Sequence, residues 1–125
     1  MDRKSIVIAL RPKLNLDTDL DRHLESFQNK VIRPILKFQN DLILDFLHTH
    51  PQYIPQAAKI NKQDPKSYHE VLNKFIKSNH AFRNQLYGMI TGMMTVEEYR
   101  IYLKDVSEYN RRITTMYVQR VLSQV

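Results

Sequence analysis

Apolar side chains recur every third or fourth position along most of this chain, which is the spacing of an amphipathic helix. One stripe runs through residues 18–48, a second through residues 65–93 with a weak point at Ser78–Asn79, and a third from Thr95 to the C-terminus. Alternating strand patterns joined by glycine turns are almost lacking. The pattern predicts an all-α domain, packed as a bundle or orthogonal cluster of four to six helices.

Local signals mark where these helices begin. Asp64 followed by Pro65 is an N-cap with proline at the first helical position, and Thr95 with Glu98 forms a capping box. Pro34 removes one backbone hydrogen bond from the first stripe, yet the stripe keeps its phase. We therefore expect a kink at Pro34, or two nearly collinear helices.

The start of the chain lacks a helical stripe. Residues 6–10 form a short apolar run that has no strand to pair with, which favours a packed extended arm or a frayed end. The run is also too short for a secretory signal peptide. We expect an irregular arm over residues 1–17 and one helical domain over residues 18–125, with Thr18 or Asp19 capping its first helix.

Only two glycines occur, Gly88 and Gly92, and both lie within a helical stripe four residues apart. Glycine costs about 1 kcal/mol relative to alanine inside a helix. Two glycines on one face therefore predict a close backbone contact with a neighbouring element, as in small-residue helix pairs.

Composition narrows the chemistry. The 125 residues include no cysteine, which excludes disulfides, thiolate nucleophiles and cysteine-ligated zinc, and a cytoplasmic location is expected. No apolar window approaches the roughly 18–20 residues of a membrane span, so no membrane partner is expected. The net charge is +6, but the basic residues are dispersed along the chain and form no basic arm.

Catalytic and metal-binding patterns are lacking. Asp45 and His48 have the i, i+3 spacing of a di-iron ligand pair, but the second pair is missing. There is no Gly-x-Ser-x-Gly elbow and no phosphate-binding glycine-rich loop. We therefore predict no catalytic residue, no metal and no cofactor.

Two blocks carry a resemblance that covers roughly residues 20–122. They are residues 24–42, and residues 82–92 (FRNQLYGMITG) followed by residues 95–99 and 110–112. They resemble a family of short helical proteins of Bacteroidetes-type bacteria whose function is uncharacterised, so the resemblance implies a fold and no activity. Some members are labelled "glyoxalase", but this chain lacks the strand modules with converging His and Glu side chains that a glyoxalase I needs.

Six polar or aromatic residues are candidates for an anion-binding or partner surface, because guanidinium groups suit phosphates and carboxylates and half-buried tyrosines suit interfaces. They are Arg83, Asn84, Arg111, Arg112, Tyr99 and Tyr109. The alternatives are ion pairs between these arginines and Glu97, Glu98, Asp105 or Glu108, and tyrosines at the edge of the core.

Three functions remain open at this point. The first is a non-enzymatic protein that acts through contact with another protein or with itself, as in a two-fold homodimer. The second is binding of nucleic acid or another anion through the dispersed arginines. The third is an enzyme with a pocket between helices, for which the sequence nominates no residues.

Overall fold

The structure is a computed structural model and describes residues 2–12 and 23–124. Within these ranges it is helical and contains no strand, which confirms the all-α class. The elements are α1 (Arg3–Leu10), α2 (His23–Phe27), a π-helix (Gln28–Ile32), α3 (Arg33–Phe38), α4 (Asn40–His48), α5 (Ile54–Ala57), α6 (Pro65–Ser78), α7 (His80–Thr91), α8 (Val96–Leu103) and α9 (Val106–Leu122).

The described residues form more and shorter helices than the four to six predicted. Because α2, the π-helix and α3 follow one another without a break, they make one continuous rod, and eight separate rods result in the described ranges. The additional helices are α1 and the short α5, and others arise because two long stripes are each divided into shorter helices. Each stripe was apolar along its whole length, so periodicity alone did not reveal these breaks.

The N-terminal segment differs from its prediction. Arg3–Leu10 form α1, which Asp2 caps by accepting a hydrogen bond from the Ser5 amide at 2.8 Å. The irregular arm is therefore wrong over these residues. Val7 is buried although it is followed by exposed apolar positions, so α1 packs through one side chain on its inner face. Residues 13–17 and the two proposed caps, Thr18 and Asp19, lie outside the described residues.

Pro34 lies at the second position of α3, directly after the π-helix. The Arg33 amide donates to the carbonyl of Gln28, five residues earlier. This wider turn gives the proline ring room beside the carbonyl of Lys30, which an ordinary α-turn would crowd. The helix continues past Pro34 and is interrupted only at Gln39, whose backbone has φ −84° and ψ 4°.

The predicted caps are confirmed. The Thr95 hydroxyl accepts from the Glu98 amide at 3.1 Å, and the Glu98 carboxylate accepts from the Thr95 amide at 2.9 Å. Asp64 caps α6 by accepting from the Lys66 amide at 3.0 Å. Asn79 caps α7 and ends the preceding helix, as its position in the second stripe indicated.

The third stripe divides into two helices at Lys104 and Asp105. Helix α8 ends at Leu103, and Asp105 caps α9 by accepting from the Glu108 amide at 3.4 Å. Asp is among the favoured N-cap residues, and its carboxylate also complements the helix dipole.

The glycine pair does not mark a helix contact. A Cβ atom added at Gly88 would meet nothing within 4 Å, and one added at Gly92 would lie 3.0 Å from the carbonyl oxygen of Gly88 in the preceding turn. No neighbouring element therefore occupies the place that a Cβ atom would take at either glycine. The predicted close packing is wrong, and both positions are exposed.

The core lies between α3, α4, α6, α7 and α9. Phe46 stacks on Phe82 with ring centroids 4.4 Å apart, and Phe75 meets Phe82 edge-on at 5.1 Å. Tyr117 is fully buried in α9 and donates to the carbonyl of Ile43 at 2.7 Å. Burial raises the pKa of the Tyr117 phenol far above its usual range, so this group remains a neutral hydrogen-bond donor.

Candidate interaction surface

Arg83 has a structural role at the corner between α6 and α7. Its guanidinium donates to the carbonyls of Ile76 at 2.8 Å and Lys77 at 2.6 Å, which are free at the C-terminal end of α6. It also lies 3.0 Å from Nδ1 of His80. Asn84 is exposed beside it on α7. Because its donors bind helix carbonyls, Arg83 offers little to an external anion.

Arg111 and Arg112 share one carboxylate on α9. Glu108 accepts from Arg111 at 2.6 Å and from Arg112 at 3.0 Å, and Arg112 also donates to the Gln28 side chain at 2.9 Å. Hydrogen bonds from Arg111 and then Arg112 hold the pKa of Glu108 at about 2. The ion pairing that was the alternative for these arginines is thus observed.

The two candidate tyrosines belong to a row of rings that runs from the surface to the core. Tyr99 is 43% exposed, and its ring lies 6.0 Å from that of Tyr102. Tyr102 lies 6.2 Å from Tyr109, which is buried and contacts Phe27 at 4.7 Å. Burial raises the pKa of both Tyr102 and Tyr109. Tyr109 is therefore a core residue, and Tyr99 is the exposed end of the row.

Helix α1 is fixed against the start of α8 by three basic side chains. Arg3 donates to the carbonyls of Gly92 and Met94, both at 2.7 Å. Lys4 pairs with Glu97 at 3.6 Å, and Arg11 pairs with Glu98 at 3.1 Å. These contacts join two segments that are more than 80 residues apart in sequence.

These two segments carry most of the exposed large apolar side chains. Eleven such residues occur in the described ranges, and eight of them lie on α1, on α8 or at the first position of α9. We call this set the α1–α8 surface. It consists of Ile6, Ile8, Leu10, Val96, Tyr99, Ile101, Leu103 and Val106.

Helix α8 explains why the surface is so apolar. Its eight residues bury only one side chain, Tyr102. Val96, Tyr99 and Leu103 follow one another at i, i+3 and i+7, so they form a stripe on one face, and their exposed fractions are 57%, 43% and 50%. Ile101 lies on another face at 40%. The exposed apolar stripe of Val96, Tyr99 and Leu103 is of the kind that is typical of interaction sites.

The charges around the α1–α8 surface nearly cancel. Residues 2–12 and 95–106 carry five basic and four acidic side chains, a net charge of +1, so the other residues carry +5 of the total +6. The pairs Lys4–Glu97 and Arg11–Glu98 account for four of those nine charges. The surface is therefore close to neutral, with about the same net charge per residue as the rest of the chain.

The sequence prediction found one residue of this surface, Tyr99. The missed signal was in α8 itself, where Val96, Tyr99, Ile101, Tyr102 and Leu103 exceed what one buried stripe needs. A helix with apolar residues on several faces has more apolar side chains than its contact with the core can bury. The contribution of α1 could not be anticipated, because its apolar run was interpreted as an extended arm.

Two further features could receive ligands. An open groove of about 690 Å³ lies between the 51–59 segment and α6, with Lys59 and Lys74 at its wall. A smaller cleft of about 270 Å³ lies between α3 and the end of α9, where Arg33 and Arg120 line it. No cluster of His, Asp or Glu suited to a metal ion occurs in the part of the chain that the structure describes.

None of the helices in the described ranges has both the length and the apolar character needed to cross a bilayer.

Comparison with known proteins returns no relative: no family model matches this chain, and neither a curated protein nor a solved structure matches it. The family resemblance of residues 24–42 and 82–92 therefore stays a prediction.

Proposed function

We propose that the protein acts through protein–protein contact, as a two-fold homodimer that meets through the α1–α8 surface. The observation that carries this proposal is the concentration of exposed apolar side chains there, eight of eleven in the described ranges. An apolar centre containing an aromatic residue, with charged residues confined to the rim, is the composition of interface cores. Arg100 and Lys104 would form part of that rim.

A second copy of the chain is the favoured partner because of charge. In a two-fold contact the same surface of each copy lies at the interface, so a strongly charged patch would repel the identical patch of the other copy. The α1–α8 surface carries a net charge of +1, whereas the whole chain carries +6. With this small net charge the surface can meet an identical surface without a large electrostatic cost.

The size of the surface suits such a contact. A standard interface buries about 800 Å² on each partner. The chain has a total accessible surface of 8148 Å², so that interface would occupy about a tenth of it. Two short helices supply seven of the eight large apolar side chains, and the first residue of α9 supplies the eighth. A cytoplasmic location belongs to the same proposal.

Sedimentation velocity with a matched pair of variants tests the proposal. Leu103 on α8 and Leu42 on α4 are 50% and 51% exposed, and only Leu103 belongs to the α1–α8 surface. We expect Leu103→Lys to be monomeric at concentrations where the wild type and Leu42→Lys are dimeric. A monomeric wild type at high concentration, or equal effects of the two variants, would reject the proposal.

A further inference from the structure

The cleft between α3 and the C-terminal end of α9 brings two arginines to one small space. Its volume is about 270 Å³, and its walls are Arg33, Leu36, Met116, Gln119, Arg120 and Ser123. Leu36 is buried and Met116 partly so, which gives the cleft an apolar side opposite the guanidinium groups. None of its lining residues is acidic.

Both guanidinium groups bind neutral amides. Arg120 donates to Oδ1 of Asn40 at 3.1 Å, and Arg33 donates to Oδ1 of Asn29 at the long distance of 3.4 Å. Neither forms an ion pair with a carboxylate anywhere in residues 2–12 or 23–124. Arg11, Arg111 and Arg112 do form such pairs, so Arg33 and Arg120 differ from the arginines with structural roles.

Asn40 also contacts a carboxylate, that of Asp41. Its Oδ1 accepts from the amide nitrogen of Asn40 at 3.3 Å, while the amide oxygen of Asn40 faces Arg120. Asn40 therefore separates the carboxylate from the guanidinium. Lys37, one turn beyond Arg33 on α3, is exposed and adds positive charge to the same side.

The two positive charges affect one another. Burial lowers the pKa of Arg120, and the charge of Arg33 lowers it further. A guanidinium remains protonated in proteins, so the pair stays dicationic at neutral pH. Two like charges held together in a partly buried cleft destabilise the empty protein.

We infer that the Arg33–Arg120 cleft binds one tetrahedral oxyanion of the phosphate type. Guanidinium groups donate two parallel hydrogen bonds to such anions, and two of them neutralise a dianion. The Gln119 amide supplies a further donor at the wall. The volume lies below the range of typical small-molecule pockets, which suits a single phosphoryl group and excludes a nucleotide enclosed in the cleft.

Free phosphate and a phosphomonoester share this chemistry. Met116 lies at the wall where the carbon substituent of an ester would rest. Titration with inorganic phosphate and with methyl phosphate shows which of these two kinds of ligand the cleft binds more tightly. Tighter binding of methyl phosphate indicates an ester ligand, and tighter binding of inorganic phosphate indicates the free anion; either result supports the site.

Calorimetric titration of the whole chain at constant ionic strength tests the site. We expect saturable binding, weakened about tenfold or more by Arg33→Gln or Arg120→Gln, because each removes charge-assisted hydrogen bonds. Arg33→Lys keeps the charge and should weaken binding less. Arg100→Gln is the control, since it removes the same charge from an exposed position on α8 and should leave phosphate binding unchanged.

A stability measurement distinguishes this site from a purely structural role. Without phosphate, Arg33→Gln should unfold at the same or a higher temperature than the wild type, because it removes the repulsion. With phosphate, only the wild type should gain stability. A structural role for Arg33 predicts a lower melting temperature with or without phosphate. That result would overturn the inference, and so would a wild type that binds neither probe, or equal weakening by Arg100→Gln through diffuse electrostatic attraction.

Discussion

Arg11 and Glu98 form a fork-to-fork ion pair across 87 positions of sequence, with both contacts at 3.1 Å. The Arg11 side chain is 8% exposed and that of Glu98 is 19% exposed. Glu98 also closes the capping box of α8 through Thr95. One carboxylate thus stabilises the start of α8 and holds the end of α1 against it.

Arg11→Met should therefore detach α1. We expect a loss of about 1–3 kcal/mol in the free energy of unfolding, because a nearly buried bidentate pair is broken and Glu98 keeps an unpaired charge. Faster hydrogen exchange of the α1 amides should accompany it. Urea denaturation and exchange measurements check both effects.

Lys4→Met is the matched control. Its partner is Glu97, and both side chains are more than half exposed. Exposed pairs contribute about 0–1 kcal/mol, so the variant should stay close to the wild type. If Arg11→Met and Lys4→Met changed stability equally, α1 would be held by Arg3 and Val7 and not by the Arg11–Glu98 pair.

Gly88→Ala should stabilise the protein. The position is exposed within α7, and an added Cβ meets nothing within 4 Å. Replacing such a glycine by alanine should add about 0.5–1 kcal/mol to the free energy of unfolding. Gly92→Ala should gain less, because its Cβ would lie 3.0 Å from the carbonyl of Gly88. A strong loss of stability in Gly88→Ala would restore the packing role first predicted for the pair.

The pKa of Glu108 gives the stability a defined acid dependence. Its pKa is lowered from an ordinary value of 4.5 to about 2 by Arg111 and Arg112. Since the folded protein binds the proton less readily than the unfolded chain, this contribution is complete above pH 4.5 and disappears as the pH falls towards about 2. In Glu108→Gln, the midpoint of urea denaturation should therefore depend less on pH over that interval than it does in the wild type. If the midpoint changed equally with pH in the wild type and in the variant, Glu108 would not be the source of this acid dependence.

Features encoded by a few adjacent residues were predictable from the sequence. The capping box at Thr95 and the N-cap at Asp64 depend on side chains two or three positions away, and both occur as predicted. The buried stripes likewise follow from helical spacing. The path around Pro34 was predicted only in outline, because the π-helix that accommodates the ring has no known sequence signal of its own.

Features that depend on distant partners were not predictable. The run Ile6–Leu10 has the β-branched residues of a strand, and tertiary contacts of Arg3 and Arg11 with α7 and α8 override that preference. The Arg33–Arg120 cleft joins residues 87 positions apart. The contacts of Arg83 with the carbonyls at the end of α6 were not predictable either, because a sequence does not show which free carbonyls lie within reach of a side chain.

Intermolecular distance measurement tests the central claim, self-association through the α1–α8 surface, most directly. The chain contains no cysteine, so Arg100→Cys carries a single nitroxide label at the rim of α8. Double electron–electron resonance should show an intermolecular distance with a narrow distribution and a modulation depth that increases with protein concentration. A label that shows no intermolecular modulation at the highest concentration, in a variant that remains folded, would contradict the account.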